Sequence, residues 1–181
     1  GFGFNFNIKL INNFFEFFKK NIFTNFLGVY SNKNGVVTKS GWQTKAINLE
    51  KDTLVEWLPT GAAVYVNQKI SNLKFDLAYG KYSYLEDLDF SYAMSKKGSL
   101  VICADAKFTT DNVVNRNQYY FGIKEIVNRY YFVNKFSLSK INFFIGVTIF
   151  IFKHVLTLLS FKPSYFLRII GNINGVLKVL F

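Results

Sequence analysis

Three carboxylates stand within four residues, at Glu86, Asp87 and Asp89, in the segment Tyr84–Tyr92. Apolar residues follow at spacings of three and four, and two lysines and a glycine come at 96–98, so the pattern predicts a helix that begins at the carboxylates. Acidic groups in a first turn are stabilised as anions by unpaired N–H groups and the helix dipole. A carboxylate held in this way can act as a general base, although acidic residues also stand there simply to compensate the dipole. Both interpretations stay open on these residues alone.

The segment before this helix predicts a bend followed by a strand. Pro59, Thr60 and Gly61 form a turn whose backbone N–H groups could point at a ligand, and Ala62–Val66 has the composition of a buried strand. A second strand is predicted at 100–104. Strand, loop, helix and strand in this order are typical of an α/β layer.

Length and composition exclude several classes of protein. The 181 residues, half of them hydrophobic, are enough for one domain with a sizeable core. Cys103 is the only cysteine, so the chain has no internal disulfide and is not a disulfide scaffold. Cys103 itself is predicted to be a small buried residue of the second strand. His154 is the only histidine, so this chain alone cannot build a His-based triad or a two-His metal site.

The net charge of +11 is distributed unevenly along the chain. Nine of the eleven acidic residues lie between Glu50 and Asp111, whereas the segment from Ile126 to the C-terminus has seven Lys and Arg and no acidic residue. Its cations stand singly between long apolar runs, with no Arg cluster or nucleic-acid motif. This pattern favours an anionic membrane surface over nucleic acid as the partner.

Four helices are predicted around the central segment. An amphipathic helix is expected at 8–28 and another at 119–136. An apolar run at 143–161, interrupted by Lys153 and His154, and a final amphipathic stretch at 165–181 are predicted to lie on a bilayer. A spanning helix with Lys153 buried against a partner is the alternative. The loop pair Gly41 and Trp42 could line a sugar or phosphate site, or could anchor the loop by packing.

Taken together, the segments at 57–62, 75–76, 84–91 and 96–98 resemble the second half of the family-2 glycosyltransferases, and rhamnosyltransferases in particular. In that family a strand that begins with a Gly-containing turn is followed about 25 residues later by a Glu-Asp pair that opens a helix ending in Lys-Gly. The next strand ends in an Asp-Ala-like edge, which Asp105 and Ala106 match. The resemblance covers about residues 35–131.

The resemblance implies an A-type glycosyltransferase fold, a Rossmann-like α/β sandwich that binds a nucleotide-sugar. It implies inverting transfer of a sugar to an acceptor hydroxyl of a glycan or a lipid-linked glycan. Asp87 would be the general base, and Glu86 would orient the acceptor or Asp87. On the same grounds, the substrate-binding residues would be Trp57, Thr60, Gly61 and Asp89, although Asp89 would serve mainly the helix start.

The chain departs from the family pattern in its first part. The family's first half carries an Asp-x-Asp motif that holds Mg²⁺ or Mn²⁺ on the diphosphate, and no such motif precedes Trp57. Thr109 and Thr110 stand where many relatives have a histidine. We therefore expect a fragment, inactive when isolated, with an N-terminal helix and turn at 1–34, half of a catalytic domain at 35–136, and a basic membrane-associated tail at 137–181. Its expected location is the cytoplasmic face of the plasma membrane, as a peripheral protein.

A non-catalytic membrane-surface module is the alternative function. In that case the carboxylates only cap a helix, and the basic tail makes the functional contact. Nucleic-acid binding would rest on the net charge alone and is not expected.

Overall fold

The computed structural model describes residues 22–46, 49–59, 61, 63–66, 72–80, 84–106, 116–158 and 164–181. Within them the protein is a mixed helix and sheet structure that is mostly helical. Its elements are α1 (Ile22–Phe26), β1 (Thr53–Val55), a 3₁₀ helix (Leu77–Tyr79), α2 (Glu86–Ser95), β2 (Leu100–Ile102), α3 (Gln118–Lys135), α4 (Lys140–Leu158) and α5 (Ser164–Leu180).

The chain forms two compact units. Of the described residues, the helical unit comprises 22–32, 39–42, 116–158 and 164–181, and the small-sheet unit comprises those of 33–38 and 43–106. The predicted segments 1–34, 35–136 and 137–181 were defined by expected function, and they stay predictions. The helical and small-sheet units divide the chain at other points. In particular, α3 packs with the two helices that follow it.

The small-sheet unit is built on an antiparallel pair of strands, with Thr53 opposite Ile102 and Val55 opposite Leu100. Because side chains alternate across a strand, Val55 and Leu100 point to one face, where they form a core with Phe90 of α2. The central pair of the ladder, Leu54 and Val101, is exposed.

Helix α2 confirms the predicted helix and its start at the carboxylates. The residue before it, Leu85, has a left-handed backbone with φ of 77°, a conformation that is uncommon for a residue with a branched apolar side chain. Leu88 and Tyr92 are buried as the spacing predicted, and so are Asp89 and Ser91. The helix is therefore enclosed on more sides than an amphipathic stripe requires.

The strand predicted at Ala62–Val66 is wrong over its described part, residues 63–66, which is not in a ladder. Val64 is 98% exposed, and only Tyr65 packs against the core formed with α2. A strand needs a hydrogen-bonded neighbour, and the described partner of β2 is β1, which the sequence pattern did not reveal. Cys103, which follows β2, is exposed rather than buried.

The helical unit confirms the helix predicted at 119–136. The Asn117 side chain caps α3 by accepting the N–H groups of Tyr119 and Tyr120 at 3.1 and 3.3 Å. The helix ends at Lys135, and Ser137, two residues later, has a left-handed backbone with φ of 53°. The predicted helix at 8–28 is described only at its end, where α1 closes before Gly28 with φ of 64°; residues 8–21 lie outside the described part.

Glycines let α5 approach α3 closely. A Cβ at Gly171 would lie 2.2 Å from the carbonyl oxygen of Tyr119, and one at Gly122 would lie 2.6 Å from that of Arg168. Both contacts are with backbone, so neither position accepts a larger residue without separating the helices. These two helices make the most extensive helix contact of the described chain.

The predicted tail forms two helices, α4 and α5, on either side of the segment 159–163, which lies outside the described residues. Lys153 and His154 do not interrupt α4. Among the described residues, α4 is the one helix long and apolar enough to cross a membrane by length and composition, a test that core helices of soluble proteins also pass. Trp42 packs on Phe143 and Phe150 of α4, as the anchor interpretation expects.

Candidate functional site

The first turn of α2 holds the carboxylates that sequence analysis singled out. Glu86 and Asp87 are partly exposed, so both can meet solvent or a ligand. The first N–H groups of an α-helix have no partner within it, and their partial positive charge stabilises an anion at this position. Asp87 is therefore a carboxylate held near the surface at the positive end of a ten-residue helix.

Asp89 has a different environment from its two neighbours. It is only 2% exposed, and its Oδ1 accepts a hydrogen bond from the Tyr79 hydroxyl at 3.0 Å. Tyr79 belongs to the 3₁₀ helix, which Asp76 caps by accepting the N–H of Ala78 at 2.9 Å. Asp89 thus joins two elements of the small-sheet unit, and its predicted part in substrate binding stays a prediction.

The segment 57–59 is joined to α2 by one side chain. Ser91 accepts the backbone N–H of Leu58 at 3.0 Å and donates its own hydroxyl hydrogen to the carbonyl oxygen of Asp87 at 2.6 Å. Leu58 also packs on the core around Phe90. The hydrogen bonds therefore run from the segment after β1 to the backbone of Asp87 itself.

The Trp57 indole is held by a hydrogen bond within the same unit. Its Nε1–H donates to the carbonyl oxygen of Thr44 at 2.8 Å, and the side chain remains partly exposed. Gly61 is exposed and has open space where a Cβ would stand. Thr60, the remaining predicted substrate-binding residue, lies outside the described residues.

Tyr65 is a polar residue near Asp87 that sequence analysis treated only as part of a strand. Its ring packs edge-on against Phe90, with centroids 5.4 Å apart, and its hydroxyl oxygen is buried with no hydrogen-bond partner among the described residues. Burial and, less strongly, the charge of Asp87 raise the pKa of Tyr65 above its ordinary value of 10.0. A neutral hydroxyl donor thus lies within the electrostatic reach of the candidate base.

The described residues contain no group of three or more His, Cys, Asp and Glu side chains that could hold a metal ion. Glu86 and Asp87 by themselves do not supply the oxygen ligands that Mg²⁺ or Mn²⁺ requires. The donor set therefore does not fit a metal site in this part of the chain, and the metal stays an expectation for residues outside it.

A second polar cluster, which sequence analysis missed, is buried in the helical unit. Arg168 of α5 forms an ion pair with Glu125 of α3 at 2.8 Å and also donates to Gln118 at 3.0 Å. Asn172 donates to Glu125 at 3.3 Å and to the Gly122 carbonyl at 3.0 Å. The only sequence signal for this cluster was one acidic residue immediately before a long segment with none.

His154 completes the cluster from α4. Its Nδ1 lies 3.1 Å from Oδ1 of Asn172, whose amide group already donates elsewhere, so Nδ1–H is the donor in this contact. The pKa of His154 is lowered to about 4, mainly by burial and to a smaller extent by the nearby cations Arg168 and Lys153, and the contact with Asn172 opposes the change. His154 is therefore neutral at pH 7 and links α4 to α5.

The chain matches no protein-family model, and no curated protein or solved structure shows significant similarity to it.

Proposed function

We propose that the small-sheet unit is the acceptor-side half of an inverting glycosyltransferase with an A-type fold. Its reaction would transfer a hexosyl or deoxyhexosyl group from a nucleotide-sugar to a hydroxyl of a glycan or lipid-linked glycan, in polysaccharide or glycolipid synthesis. The observation that carries the proposal is the hydrogen-bonded connection through Ser91. It joins the segment that begins at Trp57 to the backbone of Asp87, as an acceptor site with a base beside it would need.

Asp87 is the general base of the proposed reaction. The acceptor oxygen attacks the anomeric carbon as its proton passes to the Asp87 carboxylate, and the bond to the nucleoside diphosphate breaks with the electron pair leaving on phosphate oxygen. The carboxylate stands in the first turn of α2 and is partly exposed, so an acceptor hydroxyl can reach it. Glu86, one residue before it and also partly exposed, orients the acceptor.

The remaining contacts with substrate come from the loop before α2. Trp57 offers a partly exposed aromatic face whose orientation is fixed by Thr44, and such a face can stack on a sugar ring. Gly61 has no side chain to obstruct an approaching ligand. Thr60 completes the proposed donor or acceptor contacts.

The proposal requires nucleotide-binding strands and a divalent cation that the described residues do not supply. Mg²⁺ or Mn²⁺ would neutralise the diphosphate, and it would be held mainly by residues of the other half. The helical unit would keep the enzyme at the cytoplasmic face of the plasma membrane as a peripheral protein, close to a lipid-linked acceptor.

The test is nucleotide release by the complete product of the open reading frame that contains these residues, measured with a panel of nucleotide-sugars. Asp87→Asn should lower kcat by about 10²–10⁴-fold, since general base catalysis contributes about that much, and donor binding should survive. Glu50→Gln, at an exposed position of the same unit, is the control and should turn over normally. Normal turnover by Asp87→Asn would mean that the carboxylate only compensates the helix start and takes no part in catalysis.

The non-catalytic membrane module remains the second candidate, and the exposed apolar surface of α4 and α5 favours it. Ile141 and Phe152 on α4 are exposed, as are several residues of α5. One result distinguishes the two functions: a protein that binds vesicles but turns over no nucleotide-sugar is a membrane module and not a glycosyltransferase.

A further inference from the structure

Helix α5 has two faces of different character. Gly171, Asn172 and Gly175 are buried, and both glycines lie against α3. On the opposite side the apolar residues are exposed at spacings of seven, four and three, which place them on one face of a helix. This α5 apolar face consists of Phe166, Ile173, Leu177 and Leu180. Each is about half exposed, at 55%, 46%, 48% and 56% respectively.

The face is extended, and an exposed lysine stands near its C-terminal end. Its four side chains span fourteen residue steps, or about 21 Å along the helix axis at ~1.5 Å per residue. Lys178 is exposed next to Leu177, and Phe181 extends the apolar surface just beyond the helix. From Ile126 onward the chain carries seven cations and no acidic residue; Arg168 is paired with Glu125 and Arg129 is buried, whereas Lys135, Lys140 and Lys178 are exposed. Its charge therefore complements an anionic surface and opposes association with a second copy of the same basic chain.

We propose that the α5 apolar face rests on an anionic lipid surface, with the helix axis parallel to the bilayer and Lys178 among the headgroups. The inference rests on the membrane partner of the proposed function and adds which face makes the contact. A spanning orientation of α5 is unfavourable because its seventeen residues include Arg168, Asn172 and Asn174, whereas a span needs about 20 predominantly apolar residues. In the parallel orientation these three polar groups keep their partners within the helical unit.

The test is co-sedimentation of the 181-residue chain with vesicles of phosphatidylcholine alone, and with vesicles containing about 30% phosphatidylglycerol. The chain should bind the anionic vesicles and lose binding as salt is raised. Leu177→Glu should weaken binding by at least about tenfold, because it removes apolar contact and adds a repelled charge. Leu77→Glu is the matched control: it makes the same change at a residue that is 92% exposed in the small-sheet unit, and it should bind as the parent chain does.

Equal binding by the parent chain and Leu177→Glu would overturn the proposal. So would a dimer in light scattering that Leu177→Glu dissociates while vesicle binding is unchanged, because the face would then contact a second copy. Ile173→Glu, on the same face, repeats the test if Leu177→Glu loses helix content by circular dichroism. The experiment involves no sugar transfer, so failure of the proposed enzyme would leave its result standing.

Discussion

The two units of this protein bury their polar groups in different ways. In the helical unit, Glu125, Arg168, Asn172 and His154 satisfy one another across three helices, of which glycines bring α3 and α5 close together. In the small-sheet unit the buried polar contacts form smaller groups: Tyr79 donates to Asp89, and Ser91 accepts from Leu58 and donates to the Asp87 carbonyl. Beside them the Tyr65 hydroxyl is buried with no partner among the described residues.

The difference separates a scaffold from a candidate site. A network whose members have partners favours one arrangement of its helices, whereas the small-sheet unit holds a partly exposed carboxylate, Asp87, that a ligand can reach. The chain has two tryptophans, Trp42 in the helical unit and Trp57 in the small-sheet unit, so their indole N–H signals in NMR spectra report the unfolding of each unit separately.

The largest expected effect is that of breaking the buried ion pair. Glu125→Gln keeps the shape of the side chain but leaves Arg168 charged and largely buried, so the helical unit should lose about 3–5 kcal/mol of unfolding free energy. Denaturant titration of the Trp42 signal measures this loss. Glu50→Gln, at an exposed position, should change stability by less than about 0.5 kcal/mol. A loss of similar size in both variants would mean that the buried ion pair stabilises the helical unit no more than an exposed carboxylate does.

Acid should weaken the helical unit through His154. The folded-state pKa is about 4 and the unfolded value about 6.5, so the unfolded chain binds the proton first as pH falls. The unfolding free energy therefore keeps the full contribution of neutral His154 above pH 6.5. It declines between pH 6.5 and 4, by at most about 3 kcal/mol.

The measurement is the denaturant midpoint of the Trp42 signal at a series of pH values. His154→Gln should remove most of the decline between pH 6.5 and 5, since no other histidine titrates there. An unchanged pH slope in that variant would show that other groups cause the acid sensitivity.

A smaller effect is expected at the connection between the segment 57–59 and α2. Ser91→Ala leaves the backbone N–H of Leu58 without its acceptor and should destabilise the small-sheet unit by about 1–2 kcal/mol, followed at the Trp57 signal. Ser95→Ala in the same helix removes only a bond to the Tyr92 carbonyl and should cost less. Equal losses would argue that the bond to Leu58 contributes nothing specific.

Sequence patterns predicted the long helices better than the strands. Periodic apolar residues marked α3, and the carboxylates with the lysines and glycine after them marked α2. The strand assignment failed at 63–66 because a short apolar run has no period that distinguishes a strand from an extended loop. Only the hydrogen-bonding partner decides, and β2 pairs with β1 at 53–55.

The candidate site was predictable only where it depends on residues close together in the sequence. Glu86 and Asp87 were found because adjacent residues at a helix start form a local pattern. The role of Ser91 depends on Leu58, which is 33 residues away, and that of Tyr65 depends on its packing against Phe90. No local pattern contains such pairs.

By itself the sequence determined which segments form the long helices, where the carboxylates stand, and that the C-terminal part is basic and apolar. Local backbone preference and spacing decide these features, so each can be recognised within a few turns of chain. The tertiary structure alone decided which face of α5 is buried, because only contact with Gly122 of α3 distinguishes its glycine face from its apolar face. It also decided that Glu125, Arg168 and His154 meet, since buried charges are stable only where the fold brings their partners together.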